Sequence, residues 1–398
     1  MRLDVGLETT QPLVAGLDES ATIPARLADE KRETAASKRG EQVEFFRTLS
    51  LFVNAACNLQ CPHCDLPRKY FRYGAELAPE GWGRLLDKLL PLIRPVVVSV
   101  AAMEPLLPNG GQQRTLAALH TAIRHGVTCG LVTNGVYAES FLRQNAGKLE
   151  IDFMDVSVDG TKELDDRVRG AGHFDLVDRL LRSAVWKPVV KKLYVSCVLT
   201  KWNIQPVALR RFLDWVCDAL DEPRLVLLFL YPNQNVDRAL WLDDEDLVRC
   251  LDLLVERSGS FADLFIELFP PTVPGLARFI EEGVLPAGDE LVRDEAGMLW
   301  GHVAENLFVR YETKRDFELF HLRISPEGFA IPSQSLERPD YLTGAYGNLV
   351  KEPWPLIRDR ILQSVGERDR LRLPTPCATR RCSSVCHAEN HRCPLLHP

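Results

Sequence analysis

Residues 49–64 read Leu49-Ser50-Leu51-Phe52-Val53-Asn54-Ala55-Ala56-Cys57-Asn58-Leu59-Gln60-Cys61-Pro62-His63-Cys64. A short apolar run ends in a polar turn, and three cysteines follow at the spacing C-x3-C-x2-C. The run 49–53 has the length and composition of a buried strand. Three thiolates this close on one loop can hold three irons of a cubane cluster and leave the fourth iron without a protein ligand. An iron left open can take up a substrate or cofactor, as a catalytic zinc does at its open position. Zinc at this loop, with His63 as a fourth ligand, is the alternative; structural zinc favours four ligands in paired C-x2-C knuckles.

Outward from this loop the chain repeats one rhythm. Apolar strand-like runs occur at 49–53, 96–100, 127–132, 153–158, 193–199 and 225–230. Between them lie segments with helical spacing: Leu85, Leu86, Leu89, Leu90; Leu116, Leu119, Ile123; Val177, Leu180, Leu181; Leu209, Phe212, Leu213. Short buried strands alternating with helices imply parallel βα units, and six of them predict a partial (β/α)6 TIM-like barrel. In such barrels the chemistry sits in the loops after the strand C-termini. Residues 1–44 read as an N-terminal extension, 45–242 as the partial barrel and 243–398 as a second, C-terminal domain, because the rhythm breaks near Asp243 and the chain beyond is punctuated by Pro270, Pro271 and Pro274. The stretch 273–318 has no readable period.

The chain has 398 residues, a formal charge of −7, 46% hydrophobic and 26% charged residues, which suits a folded globular protein rather than a disordered one. An acidic balance weighs against a nucleic-acid partner, since phosphate contacts need clustered Lys and Arg. The first fifteen residues lack the apolar core of a signal peptide, and no run approaches eighteen apolar residues, so no membrane partner and a cytoplasmic location are expected. In that reducing setting eleven cysteines are not a disulfide framework. Three fall at 57–64 and four at 377–393, the clustering of metal sites.

Cys57, Cys61 and Cys64 match the signature C-x3-C-x-aromatic-C of the radical S-adenosylmethionine (SAM) superfamily, with His63 in the aromatic slot, and the loop follows the first barrel strand as that family requires. Further segments resemble the family in order. Ala102-Met103-Glu104-Pro105 resembles the Gly-Gly-Glu-Pro stretch that holds the SAM amino group, with Ala102 and Met103 replacing two glycines; the resemblance makes Glu104 the acceptor of the ammonium. Thr133-Asn134-Gly135 resembles the segment after the third strand that places Asn134 near SAM. Asp155-Val156-Ser157-Val158-Asp159 resembles the segment whose Ser157 and Asp159 face the ribose. Asp165-Asp166-Arg167-Val168-Arg169-Gly170 resembles the stretch in which Arg169 pairs with the SAM carboxylate, a contact that suits a planar guanidinium. Residues 198–203, with Leu199 and Asn203, resemble the fifth-strand segment that passes near adenine.

Cys377, Cys382, Cys386 and Cys393 follow at C-x4-C-x3-C-x6-C, enough to close a full coordination shell. Residues 322–332 and 346–349 resemble the start of the SPASM/twitch extension, an Fe–S domain that follows the barrel in part of this superfamily. Ser333 stands where that extension usually has a cysteine, so the resemblance implies one auxiliary [4Fe–4S] cluster on the four C-terminal cysteines, with structural zinc there as the alternative. Cys129, Cys197, Cys217 and Cys250 are expected to be buried small apolar residues.

The resemblance thus implies an enzyme with a SAM-binding [4Fe–4S] cluster, SAM, an auxiliary [4Fe–4S] cluster and an electron donor such as flavodoxin or ferredoxin. It would generate a 5′-deoxyadenosyl radical and abstract hydrogen from a peptide or small natural-product substrate, with net oxidation or bond formation. An epimerase or dehydrogenase of a sugar or other small metabolite is the alternative within the class. A non-catalytic Fe–S electron carrier or a zinc-stabilised binding module is the alternative outside it.

Overall fold

The structure, a computed structural model, describes residues 45–67, 70, 74–230, 235–268, 279–280, 282–311, 314–332, 336 and 338–370. The N-terminal extension 1–44, Ser333 and all four C-terminal cysteines lie outside the described residues.

The six strands foreseen from their apolar runs are present as β1 (Thr48–Leu51), β2 (Val97–Val100), β3 (Thr128–Thr133), β4 (Ile151–Ser157), β5 (Val190–Leu199) and β6 (Arg224–Phe229). Helices α1 (Pro79–Ile93), α2 (Gly111–Arg124), α3 (Ala138–Asn145), α4 (Lys162–Arg169), α5 (His173–Arg182) and α6 (Pro206–Ala219) lie between them in the chain. Each helix buries one stripe. In α1, which Pro79 opens, the stripe is Trp82, Leu85, Leu86, Leu89 and Leu90. These stripes share one core with alternate strand residues such as Leu49, Leu51, Val98, Val100, Leu131, Met154, Val156, Val195 and Leu227.

The sheet extends past the sixth strand. After α7 (Asp244–Arg257) comes β7 (Asp263–Leu268), parallel to β6. The unreadable stretch folds into β8 (Val292–Arg293), β9 (Leu299–Ala304) and β10 (Leu307–Tyr311), with β10 parallel to β7 and β8 and β9 antiparallel beyond it. At the opposite edge α8 (Lys314–Phe320) leads into β11 (His321–Ile324), parallel to β1, followed by antiparallel β12 (Phe329–Ile331) and β13 (Gly347–Asn348); α9 (Trp354–Arg370) follows. Among the described residues the order is β13-β12-β11-β1-β2-β3-β4-β5-β6-β7-β10-β9-β8. The result is an α/β fold built on a large, mostly parallel sheet whose two ends do not pair with each other, a partial barrel. Segments from beyond residue 243 supply strands to both of its edges.

Strand register shows which side chains share the face opposite the helices. Asp155 stands across from Tyr194, Ser157 from Ser196, Ser196 from Val226, Val226 from Phe265, and Glu267, two residues on, from Arg310. Side chains two apart on a strand lie on one side, so this inner face is polar where the outer face is aliphatic. Two small apolar clusters flank the strand C-termini. Phe52, Ile331, Leu336 and Tyr341 pack with Leu66, Tyr70, Ala102 and Met103 on one side. Leu230, Val236 and Leu240 pack with Val198, Trp202 and Trp241 on the other.

Candidate active site

The cysteine loop leaves the C-terminal end of β1 and is held from behind by its first residues. The amide of buried Asn54 donates to the Glu104 carbonyl at 2.9 Å, and its Oδ1 accepts the Ala56 N–H at 3.0 Å. The Glu104 N–H donates back to the Ala56 carbonyl at 3.1 Å. Glu76 Oε1 accepts the Ala55 N–H at 3.0 Å, and Arg114 pairs with the same carboxylate at 2.6 Å. The loop is thereby fixed to the segment after β2 before any cysteine is reached.

The three cysteines are free thiols. Cys57 is exposed as a residue, yet its sulfur accepts the Leu59 N–H at 3.4 Å and the Asn134 side-chain amide at 3.8 Å. Burial raises all three thiol pKa values, to about 11 for Cys61 and about 12 for Cys64; Arg169 acts in the opposite sense on Cys57 and Cys61. Thiolates here therefore need a bound cation to exist at neutral pH. Three thiol donors on one loop suit a cubane, which takes each thiolate on a different iron.

The segments foreseen at the strand ends do come together around this loop. Ala102 and Met103, in the positions of the two glycines, keep left-handed backbone at φ 71° and 50°. This is the conformation that favours glycine, and their side chains turn into the apolar cluster of Phe52 and Tyr341. Glu104 is completely buried. Its Oε1 accepts the Leu106 N–H at 2.9 Å and the Thr133 hydroxyl at 2.7 Å, and its Oε2 accepts the Asn134 N–H at 2.8 Å. Burial raises its pKa, opposed by those hydrogen bonds. The carboxylate expected to receive an ammonium is thus enclosed, tying the β2 loop to the β3 loop.

Asn134 bridges to the cysteine loop: its amide also donates to Asn58 Oδ1 at 2.8 Å. Behind it the His173 ring spans the Asn134 carbonyl, 2.7 Å from Nε2, and Asp165 Oδ2, 2.5 Å from Nδ1. Asp159, fully buried, receives Arg169 Nε at 2.6 Å on Oδ2 and the Val198 N–H at 3.0 Å on Oδ1. Burial alone would raise the Asp159 pKa; Arg169, His63 and these donors together hold it below the usual carboxylate value. Arg169 is held firmly protonated, Asp159 outweighing the cost of burial. Neither Nη atom of Arg169 bonds a described residue, and its charge acts on the Cys57 and Cys61 thiols. His63 Nε2 stands 3.6 Å from Asp159 Oδ2, outside hydrogen-bond reach, and its Nδ1 is buried without a partner among the described residues. Burial lowers the His63 pKa, against the pull of Asp159.

Ser157 faces Ser196 at 3.4 Å between their hydroxyls, on the inner face. Leu199 ends β5 in the core. Asn203 spends its side chain locally: Oδ1 accepts the Thr200 N–H at 2.7 Å, and Nδ2 donates to the Val198 carbonyl at 2.8 Å and to the Asp159 carbonyl at 3.1 Å, shaping the turn after β5. Sequence reasoning missed Asn54, Asn58, Thr133, Asp165 and His173 as members of this network. Asp165 stood inside the Asp165–Gly170 stretch, but only the fold shows that it turns toward His173 rather than solvent. Of the remaining cysteines, Cys129, Cys197 and Cys250 are buried as expected and Cys217 is half-buried.

No family model matches the chain. A stretch of 209 residues is 25% identical to the Fe-coproporphyrin III synthase of Methanosarcina barkeri (strain Fusaro / DSM 804), covering 51% of this chain and 49% of that protein. The chain therefore spans about half the length of this curated relative. Among solved structures, Streptococcus suis SuiB bound to its precursor peptide SuiA superposes with a TM-score of 0.62 at 13% identity, over 96% of this chain and 80% of SuiB. The protein anSMEcpe with bound AdoMet and the Cp18Cys peptide gives 0.55 at 17% identity, over 84% and 88%. At these identities the solved structures speak for the fold. With the cysteine loop at the end of β1 and the partial barrel, the chain is similar to radical SAM proteins, in sequence over about half its length and in fold over most of it.

Proposed function

We propose that the chain binds a [4Fe–4S] cluster on Cys57, Cys61 and Cys64 with SAM at its open iron, and that it modifies a peptide by hydrogen abstraction. When bound, the cluster and SAM supply one-electron cleavage of the sulfonium to methionine and a 5′-deoxyadenosyl radical. The observation that carries the reading is the guanidinium of Arg169, paired with buried Asp159 and within electrostatic reach of the Cys57 and Cys61 thiols. Arg169 would bind the SAM carboxylate through its Nη atoms. Ser157 and Asp159 would flank the ribose, and the turn made by Leu199 and Asn203 would border the adenine. Glu104 fixes Leu106, Thr133 and Asn134, and through them would shape the site for the SAM amino group. His63, buried beside Asp159, would exclude water from the cleft between the loop and Asp159.

For the substrate, the solved relatives captured with peptides, SuiB with SuiA and anSMEcpe with Cp18Cys, favour a peptide. The polar inner face below Ser157 suits a hydrophilic side chain there. The sequence relative, by its name a synthase of a tetrapyrrole, favours a small metabolite as the second reading. The four C-terminal cysteines, Cys377, Cys382, Cys386 and Cys393, would hold an auxiliary [4Fe–4S] cluster, which would supply electron-acceptor chemistry. Such chemistry would suit a net oxidation or bond formation, with a flavodoxin or ferredoxin as the electron donor. The test is anaerobic reconstitution with iron and sulfide, then reduction in the presence of SAM with candidate peptides or a tetrapyrrole. 5′-Deoxyadenosine formation stimulated by peptide supports the first reading, and stimulation by the tetrapyrrole alone supports the second.

A further inference from the structure

Asn134 is gripped at every polar atom. Its N–H donates to Glu104, its carbonyl accepts from His173, its Oδ1 accepts the Val136 N–H at 3.1 Å, and its Nδ2 donates to Asn58 Oδ1. An amide NH2 carries two hydrogens. One is spent on Asn58, and the other points to the Cys57 sulfur, 3.8 Å away. The Val136 bond fixes which side-chain atom is oxygen, so the nitrogen is the atom that faces the thiol.

The grip is backed from behind. His173 and Asp165 are both buried. Both ring nitrogens of His173 are engaged, one at the Asn134 carbonyl and one at the Asp165 carboxylate. Asp165 is itself anchored by the Asp159 N–H at 2.9 Å. The chain Asp165–His173–Asn134 thus ends in a hydrogen bond to a cysteine that the proposed function makes an iron ligand.

We infer that Asn134, seated by His173 and Asp165, donates a hydrogen bond to the Cys57 thiolate and raises the reduction potential of the cluster on Cys57, Cys61 and Cys64. The inference rests on the cluster assignment made above. A donor to a ligating sulfur stabilises the reduced cluster more than the oxidised one, because the added electron puts negative charge on the sulfurs. Asn134 and His173 are positioning residues in this scheme, acting through Cys57.

The experiment is an EPR-monitored redox titration of the reconstituted, full-length protein without SAM, compared with Asn134→Asp, Asn134→Ala and His173→Phe. Asn134→Asp keeps an acceptor for the Val136 N–H and loses the donor. The midpoint is expected to move to more negative potential in both Asn134 variants at unchanged iron content, with His173→Phe moving it the same way. If His173→Phe fails to fold, the two Asn134 variants decide the matter. Midpoints in both equal to wild type, with the cluster intact, overturn the inference alone. Wild-type protein that takes up no iron on the three cysteines overturns the cluster reading beneath it.

Discussion

Arg169 Nε donates to Asp159 Oδ2 at 2.6 Å, and both side chains are buried at the mouth of the barrel. The pair is central to the proposed site, since it holds the guanidinium within electrostatic reach of Cys57 and Cys61. Removing one partner leaves the other as an uncompensated buried charge. Arg169→Ala is therefore expected to cost about 3–5 kcal/mol of stability, read from urea unfolding of the apo protein. Arg169→Lys should cost less stability while still weakening SAM binding, because an ammonium cannot serve Asp159 and a carboxylate through one planar fork. Equal SAM affinity in wild type and Arg169→Lys would remove the carboxylate role.

Ala102 and Met103 test how the chain tolerates side chains where the family has glycines. Left-handed backbone costs a non-glycine residue about 1 kcal/mol, and packing into the cluster of Phe52, Tyr70 and Tyr341 offsets it. Ala102→Gly is expected to be neutral or stabilising by up to about 1 kcal/mol, since only a methyl is lost. Met103→Ala keeps the strained backbone, loses the packing and should destabilise by about 2 kcal/mol. Thermal denaturation of the two variants separates the effects, and equal losses in both would contradict the strain argument.

Asp155 lies on the inner face of β4, facing Tyr194 across the strand pair and Glu267 and Arg310 from β7 and β10. Burial, then the Glu267 charge, push its pKa from 3.8 up to about 7, against the pull of Arg310. The folded chain keeps a proton there that the unfolded chain has already released. Stability contributed by this group is thus lost as pH rises from about 4 to about 7, and is flat above. Asp155→Asn should flatten that slope, so that the urea midpoint falls less between pH 5 and pH 8 than it does in wild type. An unchanged slope would mean that Asp155 ionises normally in the folded chain.

Much of this was legible locally. Strands β1 to β6 announce themselves as short apolar runs because helices cover their outer face and the runs alternate with helical spacing. The later strands do not, for a physical reason. In β7 the inner positions are Asp263, Phe265 and Glu267, and in β11 His321 and Arg323 alternate with Leu322 and Ile324. A polar barrel interior breaks the apolar run. Nor does anything local say that Thr48 pairs with His321, or Glu267 with Arg310. In the site, the cysteine spacing was readable because three ligands share one loop. The Asp165–His173–Asn134 chain was not, because its members come from three elements brought together only by the fold. The fold sets Arg169, expected at the SAM carboxylate, within electrostatic reach of Cys57 and Cys61, while Glu104 and Asn203 spend polar atoms on the protein itself.

The C-terminal cysteines carry a separate prediction. If Cys377, Cys382, Cys386 and Cys393 hold an auxiliary [4Fe–4S] cluster, the reconstituted protein contains about eight irons per chain and the double variant Cys382→Ala/Cys386→Ala about four. Four irons with one zinc in the wild-type protein would replace the auxiliary cluster with a structural metal.

The most direct measurement is the yield of 5′-deoxyadenosine from SAM by the reduced, reconstituted protein, wild type against Cys61→Ala. The account predicts that wild-type protein forms 5′-deoxyadenosine and methionine in equal amounts, and that Cys61→Ala forms neither while the rest of the chain stays folded by circular dichroism. Undiminished 5′-deoxyadenosine from Cys61→Ala, or none from wild-type protein carrying a complete cluster, would contradict it.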